Sequence, residues 1–149
     1  MSGWEPWKNG GGRTRTLASF PQGAGLDSFL WRISLAEIAR SGPFSAFPGV
    51  ERLFTPVAGG PVRLVIDGRE VLARPGIAPL RFDGAAEVHA ELAGGPMTVL
   101  NLMCRPPFRA EVSRGALPPG ASWQGALCLE TLDLAETASG PALGIGLYG

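Results

Sequence analysis

Apolar and polar residues alternate in short runs along the chain, with the period of two that marks a half-buried strand. The pattern is plainest from Val62 to Leu72, where two alternating runs flank Asp67-Gly68. That dipeptide suits the positive-φ turn of a two-residue hairpin. Val50 to Val57, Glu87 to Leu92 and Met97 to Cys104 also read as strands, and Leu80-Arg81-Phe82 leads into a turn at Asp83-Gly84. Phe29 to Ile38 admits two readings. Leu35, Ala36 and Glu37 suit a helix, whereas Trp31, Ile33 and Leu35 alternate against Arg32, Ser34 and Ala36. The aromatic and β-branched start favours a strand. Ala126 to Leu134 is expected to be the last full strand.

Turn signals punctuate these runs. Ser41-Gly42-Pro43 and Pro48-Gly49 bracket an aromatic turn, Phe44 to Phe47, and Gly94-Gly95-Pro96, Pro106-Pro107 and Pro118-Pro119-Gly120 are further breaks. Strand signals recur roughly every 8–12 residues, which predicts an all-β sandwich or barrel. With neither a repeat nor a linker, 1–149 reads as one domain. The glycine-rich stretch 140–149 is expected to be a loose tail or a short edge strand.

Composition narrows the function classes. Apolar residues make up 45% of the 149 residues, enough for one domain with its own core. The 22 glycines and 14 prolines are dispersed, as many short strands joined by tight turns require. Net charge is zero and no basic stripe appears, which argues against a nucleic-acid partner. No run approaches the ~18–20 apolar residues of a membrane span. Met1-Ser2-Gly3-Trp4 opens without an apolar signal core, so the expected compartment is the cytoplasm. Cys104 and Cys128 are expected to be two buried thiols.

Candidate chemistry lies on a loop and on strand faces. In Trp7-Lys8-Asn9-Gly10-Gly11-Gly12, the glycines permit positive φ and close backbone approach. Such a loop can turn its N–H groups on an anion as a nest, beside the charge of Lys8 and the amide of Asn9. A plain β-turn with Trp7 as a core plug fits equally. If Trp31 and Ile33 face a core, Arg32 and Ser34 are exposed; in the reverse arrangement they line a cavity. Asn101, Met103 and Arg105 share a face opposite Leu100, Leu102 and Cys104, and Arg105 could meet a carboxylate in bidentate fashion. Glu87, His89 and Glu91 share a face too, but His89 is the chain's single histidine, so metal and cofactor are both expected to be none. Neither a Cys–His pair of Cys104 or Cys128 with His89 nor a Glu37–Glu51 acid–base pair has a local signature.

Four segments, in order, carry a family likeness: Trp7–Gly12 with Thr14-Arg15; Trp31–Ile38; Gly42–Ser45 with Phe47–Arg52; and Gly95-Pro96 with Asn101–Met103 and Arg105. Over residues 4–108 the chain resembles the HutD/Ves family. The resemblance implies a cupin-like (RmlC-like jelly-roll) β-barrel, an association with histidine utilisation or stress response, and binding of a small anionic amino-acid derivative such as formylglutamate. It makes the Trp7–Gly12 loop a ligand loop and assigns Lys8 and Arg32 to carboxylate charge. Asn9 and Asn101 would orient the ligand, Thr14 and Ser34 would supply hydroxyls, and Arg105 would take a second carboxylate. The chain departs from the family pattern at Thr16, where an acidic residue is frequent, at Val99-Leu100, where Asp-Leu is usual, and in being short. These departures leave the ligand open. Two further readings stand beside metal-free binding: a metal-independent enzyme with Glu37 as general acid or base, and a protein-interaction module docking through Phe44–Phe47. A homodimer is compatible with all three.

Overall fold

The computed structural model describes residues 3–115, 117–137 and 140–149, and among them every regular element is a strand. In chain order these are β1 (Glu5–Pro6), β2 (Gly12–Phe20), β3 (Trp31–Ile38), β4 (Gly42–Pro43), β5 (Glu51–Gly59), β6 (Val62–Ile66) and β7 (Arg69–Ala73). They continue as β8 (Leu80–Asp83), β9 (Val88–Leu92), β10 (Met97–Cys104), β11 (Arg109–Arg114), β12 (Trp123–Cys128), β13 (Leu134–Ala135) and β14 (Ala142–Tyr148). The strands form three sheets: a six-stranded sheet of order β1-β2-β3-β10-β5-β8 and two four-stranded sheets, β4-β9-β6-β7 and β11-β14-β12-β13. The pairings within them are antiparallel. The fold is all-β and cupin-like.

The six-stranded sheet lies between the other two, and its two faces feed separate interiors. Trp31, Ile33 and Leu35 of β3, Leu53 of β5 and Leu100, Leu102 and Cys104 of β10 pack on Leu127, Leu143, Ile145 and Leu147 of the C-terminal sheet. On the opposite face Ile38, Phe54, Met97 and Val99 pack on Val62, Leu64, Val88 and Ala90 of the remaining sheet. The two alternatives for β3 therefore merge. Trp31 and Ile33 are in a core, yet Arg32 and Ser34 also face inward, because the sheet is covered on both sides.

The hairpin forms as expected, with Asp67 at φ 47° and Gly68 at φ 81° between β6 and β7. The C-terminus corrects the sequence reading. Residues 140–149 are not a loose tail: Ala142–Tyr148 is a central strand paired with both β11 and β12. Leu143, Ile145 and Leu147 fill the core, while Gly146 is tightly packed, a Cβ there falling 3.0 Å from Pro118 Cβ and 3.2 Å from Ala121 Cβ. Glycine at alternate positions lowers strand propensity, which hides a strand whose small face is selected by close packing. The strand expected over Ala126 to Leu134 is instead β12, a turn through Leu132 (φ 61°), and β13. Strand β2 has no alternating signature, because Arg13-Thr14-Arg15-Thr16 carries no apolar residue.

Ending the chain before Ala142 would strip three core leucine and isoleucine side chains and unpair β11 and β12. The expected outcome is loss of cooperative thermal unfolding and of near-ultraviolet circular dichroism. Thr55 offers the opposite test, being buried with a hydroxyl that has no partner. Thr55→Val should raise Tm by a few degrees, on the order of 1 kcal/mol, since it removes an unsatisfied polar group at nearly constant volume. A lower Tm would show that the hydroxyl is bonded after all.

Candidate functional site

The inner face of β3, β10 and β5 opens, beyond the Ile38–Phe54–Met97 cluster, into a cavity of about 690 Å³. Register builds its floor. Met103 pairs with Arg32 on one side and Arg52 on the other, and Asn101 pairs with Ser34 and Phe54. Two arginines thus flank Met103, their backbones about 10 Å apart given the usual strand spacing. The walls are aromatic. Trp7 meets Phe44 edge-on at 6.1 Å, Phe44 meets Phe54 at 6.2 Å, and Phe54 meets Phe82 at 6.5 Å.

Arg52 is the most unusual group here. It is only 7% exposed, and its guanidinium lies 5.4–5.6 Å from the ring centres of Phe44, Phe47 and Phe82. Nη1 donates to the Ser45 carbonyl at 3.3 Å, Nε is sealed without a partner, and among the described residues no carboxylate pairs with it. Burial pushes its pKa down to about 10, so it stays charged at neutral pH, unneutralised among faces of rings. Asn101 is equally buried, with Oδ1 sealed and unbonded, and lines the cavity. Arg32 donates to Thr16 Oγ1 at 2.8 Å, and its pKa is lowered by burial against an opposing pull from Glu5. The Thr16 hydroxyl thus gives Arg32 a hydrogen-bond partner without a counter-charge.

Six of the seven expected binding residues line this cavity: Lys8, Asn9, Thr14, Arg32, Asn101 and Arg105. Ser34 does not, because it is fully buried behind the floor and its hydroxyl faces the Asn101 carbonyl at 3.4 Å. Arg105, Asn9 and the Trp7–Gly12 loop also make bonds within the protein. The Arg105 nitrogens donate to the carbonyls of Phe29 (3.0 Å), Pro48 (3.4 Å) and Leu26 (3.5 Å), and the group stacks on Phe29. Arg105 is therefore a pin that ties two loops to the end of β10. Asn9 holds its own loop together, accepting from Gly11 N at 2.8 Å and reaching the Pro43 carbonyl at 3.5 Å. The loop is not an open nest, since Gly10 N donates to Trp7 O and Gly11 N to Asn9. Its glycines instead allow close approach: a Cβ on Gly12 would collide with the Glu37 carbonyl and the Trp7 ring. The loop sets Trp7 against the cavity, with its indole N–H donating to Thr14 Oγ1 at 2.7 Å.

Other candidates lie elsewhere. Glu37 is outside the cavity, held by Arg13 at 3.1 Å, and Glu51 is bound by Arg81 at 2.6 Å. Each sits at an odd position of its strand, on the face turned away from Arg32 and Arg52. Phe44 and Phe47 form cavity wall and are absent from the large exposed hydrophobic side chains. Glu91 is engaged by Arg63 at 2.8 Å while His89 is exposed, and among the described residues no three acidic, His or Cys groups converge as a metal site. Both cysteines are free, but only Cys104 is buried. Its thiol is pushed up to about 12, first by burial, and it lies in the core on the far side of the central sheet from His89. Arg52 is the residue that sequence reasoning missed. It stands in the third motif, and the alternation Arg52-Leu53-Phe54 could have placed it inward.

A central sheet covered on both faces, with a polar-floored cavity on one of them, defines a cupin-like protein with a small-molecule-sized site. The HutD family model matches residues 3–126, and the chain belongs to that family. It is 40% identical over 101 residues to an uncharacterised 21.2 kDa protein in the hutC 3′ region of Pseudomonas putida, covering 68% of this chain and 53% of that one. It is 43% identical over 102 residues to protein Ves of Citrobacter koseri, covering 66% and 51%. The chain spans about half the length of these curated relatives. Among solved structures, HutD from Pseudomonas fluorescens superposes with a TM-score of 0.79 at 28% identity, covering 99% of this chain and 94% of that one.

If Arg105 pins the loops, Arg105→Met should raise amide hydrogen exchange across residues 21–30 and 47–50 while leaving β6–β7 protected. Unchanged exchange in both loops would remove the pin.

Proposed function

We propose that the chain binds a small anionic amino-acid derivative of the formylglutamate kind in this cavity, without a metal, and serves a regulatory role in histidine utilisation. The observation that carries the reading is Arg52, a buried, uncompensated guanidinium among aromatic rings at the cavity wall. A charge taken from water with no counter-charge costs several kcal/mol, and an anion in the cavity offsets that cost. Arg32 adds a second positive group two strands away, and Asn101 adds an amide on the floor between them. Charge-assisted hydrogen bonds from arginine to a carboxylate are the strong kind, and the Nη edge of Arg52 is the part left for one. The regulatory half rests on kinship alone: the family, and a relative that lies in a hutC region. The acids at the cavity are Glu5 and Asp27, both exposed, so an enzymatic reading has no buried general acid to start from.

Calorimetry with formylglutamate and related acids tests this directly. Binding is expected with the full chain and is expected to survive chelator. Arg52→Met should weaken it about tenfold to a hundredfold while leaving the fold intact, as loss of a charged hydrogen bond implies. Because Arg52 titrates at about 10, affinity should be level from neutral pH to near 9 and fall as the pH passes 10. Absence of heat or thermal shift with any histidine-pathway acid would sink the ligand assignment.

A further inference from the structure

The charges of the cavity are arranged against a zwitterion. Among the described residues four cationic side chains line it, Lys8, Arg32, Arg52 and Arg105, against two acids, Glu5 and Asp27. Position matters more than number. The floor is Arg32, Arg52, Met103 and Asn101, and none of these is an acid. Asn101 lies two residues along β10 from Met103, on the same face and only 7% exposed. Its carboxamide can bond a polar group but has no charge to balance one. Both acids are exposed, where water screens them. Glu5 stands on the edge strand β1 and already pulls on Arg32. Asp27 follows Leu26, whose carbonyl is held by Arg105.

Resting on the anion-site reading above, we infer that the cavity selects acids whose α-nitrogen is acylated and therefore neutral, and rejects the free α-amino acid. A carboxylate bonded to Arg52 brings its α-substituent to within about 6 Å of the guanidinium. An ammonium there would face a buried like charge, with no carboxylate on the floor to hold it. Acylation removes that charge and leaves an amide, whose N–H and C=O are groups the Asn101 carboxamide can bond. Lys8, Asn9 and Thr14 also line the cavity, so a second carboxylate has a cation and polar partners at the Trp7–Gly12 loop. A site so built distinguishes an acylated amino acid from the amino acid that hydrolysis of its amide would release.

Calorimetry on the full chain with N-formylglutamate, 2-hydroxyglutarate and glutamate tests this. The last two differ in one α-substituent of similar size, a hydroxyl against an ammonium, so charge is varied and bulk is not. Glutamate should bind about a hundredfold more weakly than either of the others, the scale of one like-charge contact at an effective dielectric constant of about 20. Two variants should each lower the ratio of 2-hydroxyglutarate to glutamate affinity about tenfold. Arg52→Met removes the repelling cation, and Asn101→Asp supplies a counter-charge on the floor. Circular dichroism and Tm show which variants keep the fold, and either one suffices. Glutamate binding as tightly as 2-hydroxyglutarate, or a ratio unchanged in a folded variant, overturns the inference while leaving the anion site standing. Failure of all three acids overturns the anion site, and the inference with it.

Discussion

Burial on both faces of one sheet is the constraint from which the site follows. In a sandwich of two sheets, alternate residues of each strand go to water. Here β3, β10 and β5 lie between two other sheets, so both sets of alternate residues are enclosed. A large apolar cluster fills most of the C-terminal side. On the other side apolar side chains fill only one end, and the residues beyond it are Arg32, Asn101, Met103 and Arg52. Polar groups in such a place cannot be ordinary surface. They are held there by a register that also places Ile33, Leu53, Leu100 and Leu102 in the opposite core. A one-residue slip would exchange the two sets, so the packing of one interior fixes the chemistry of the other.

The electrostatics of the cavity follow from the same enclosure. Elsewhere the charged residues pair: Arg13 with Glu37, Arg63 with Glu91, Arg81 with Glu51 and Glu111. These pairs are at least partly exposed and individually contribute little. The inward arginines follow another rule. Arg32 finds a threonine hydroxyl and Arg52 a backbone carbonyl and three rings, and among the described residues neither forms an ion pair with a carboxylate. Cation–π contacts soften the loss of water from a guanidinium without cancelling its charge. The molecule therefore tolerates local instability where an anion would relieve it.

Much of this was legible in the chain and some was not. The hairpin at Asp67-Gly68, the strand nature of Trp31–Ile38 and the division of β10 into a core face and a polar face follow from alternation alone. Alternation alone did not reveal that the polar face was covered as well; the mark of that cover is the near-continuous apolar run of β10, broken by Thr98 and Asn101. Strand β14 was hidden for a different reason. Its outer positions include Gly146, selected by contact with Pro118, and glycine reads as a break to any propensity argument. Alternation also gave no sign that Arg105 and Asn9, both at the cavity, bond to backbone groups. Donor capacity consumed by loop carbonyls is a property of the folded loops and has no sequence signature. Arg52 was legible in principle, two positions before Phe54 in a strand, but a lone arginine beside a glutamate looks like an ordinary surface pair.

The departure at Thr16 acquires a physical sense in this setting. An acid at that position, one strand from Arg32, would pair with the half-buried guanidinium and offset part of its charge. A hydroxyl fixes the direction of the guanidinium at 2.8 Å without compensating its charge. The distant pull of Glu5 is the remaining carboxylate influence on Arg32, and it acts from an exposed position. With threonine, the positive potential of the row is shared by Arg32 and Arg52. Under the proposed anion-binding reading, threonine leaves both cations of the row open to a carboxylate. With an acid there, the charge facing the cavity would rest mainly on Arg52, set by a residue that does not line the cavity.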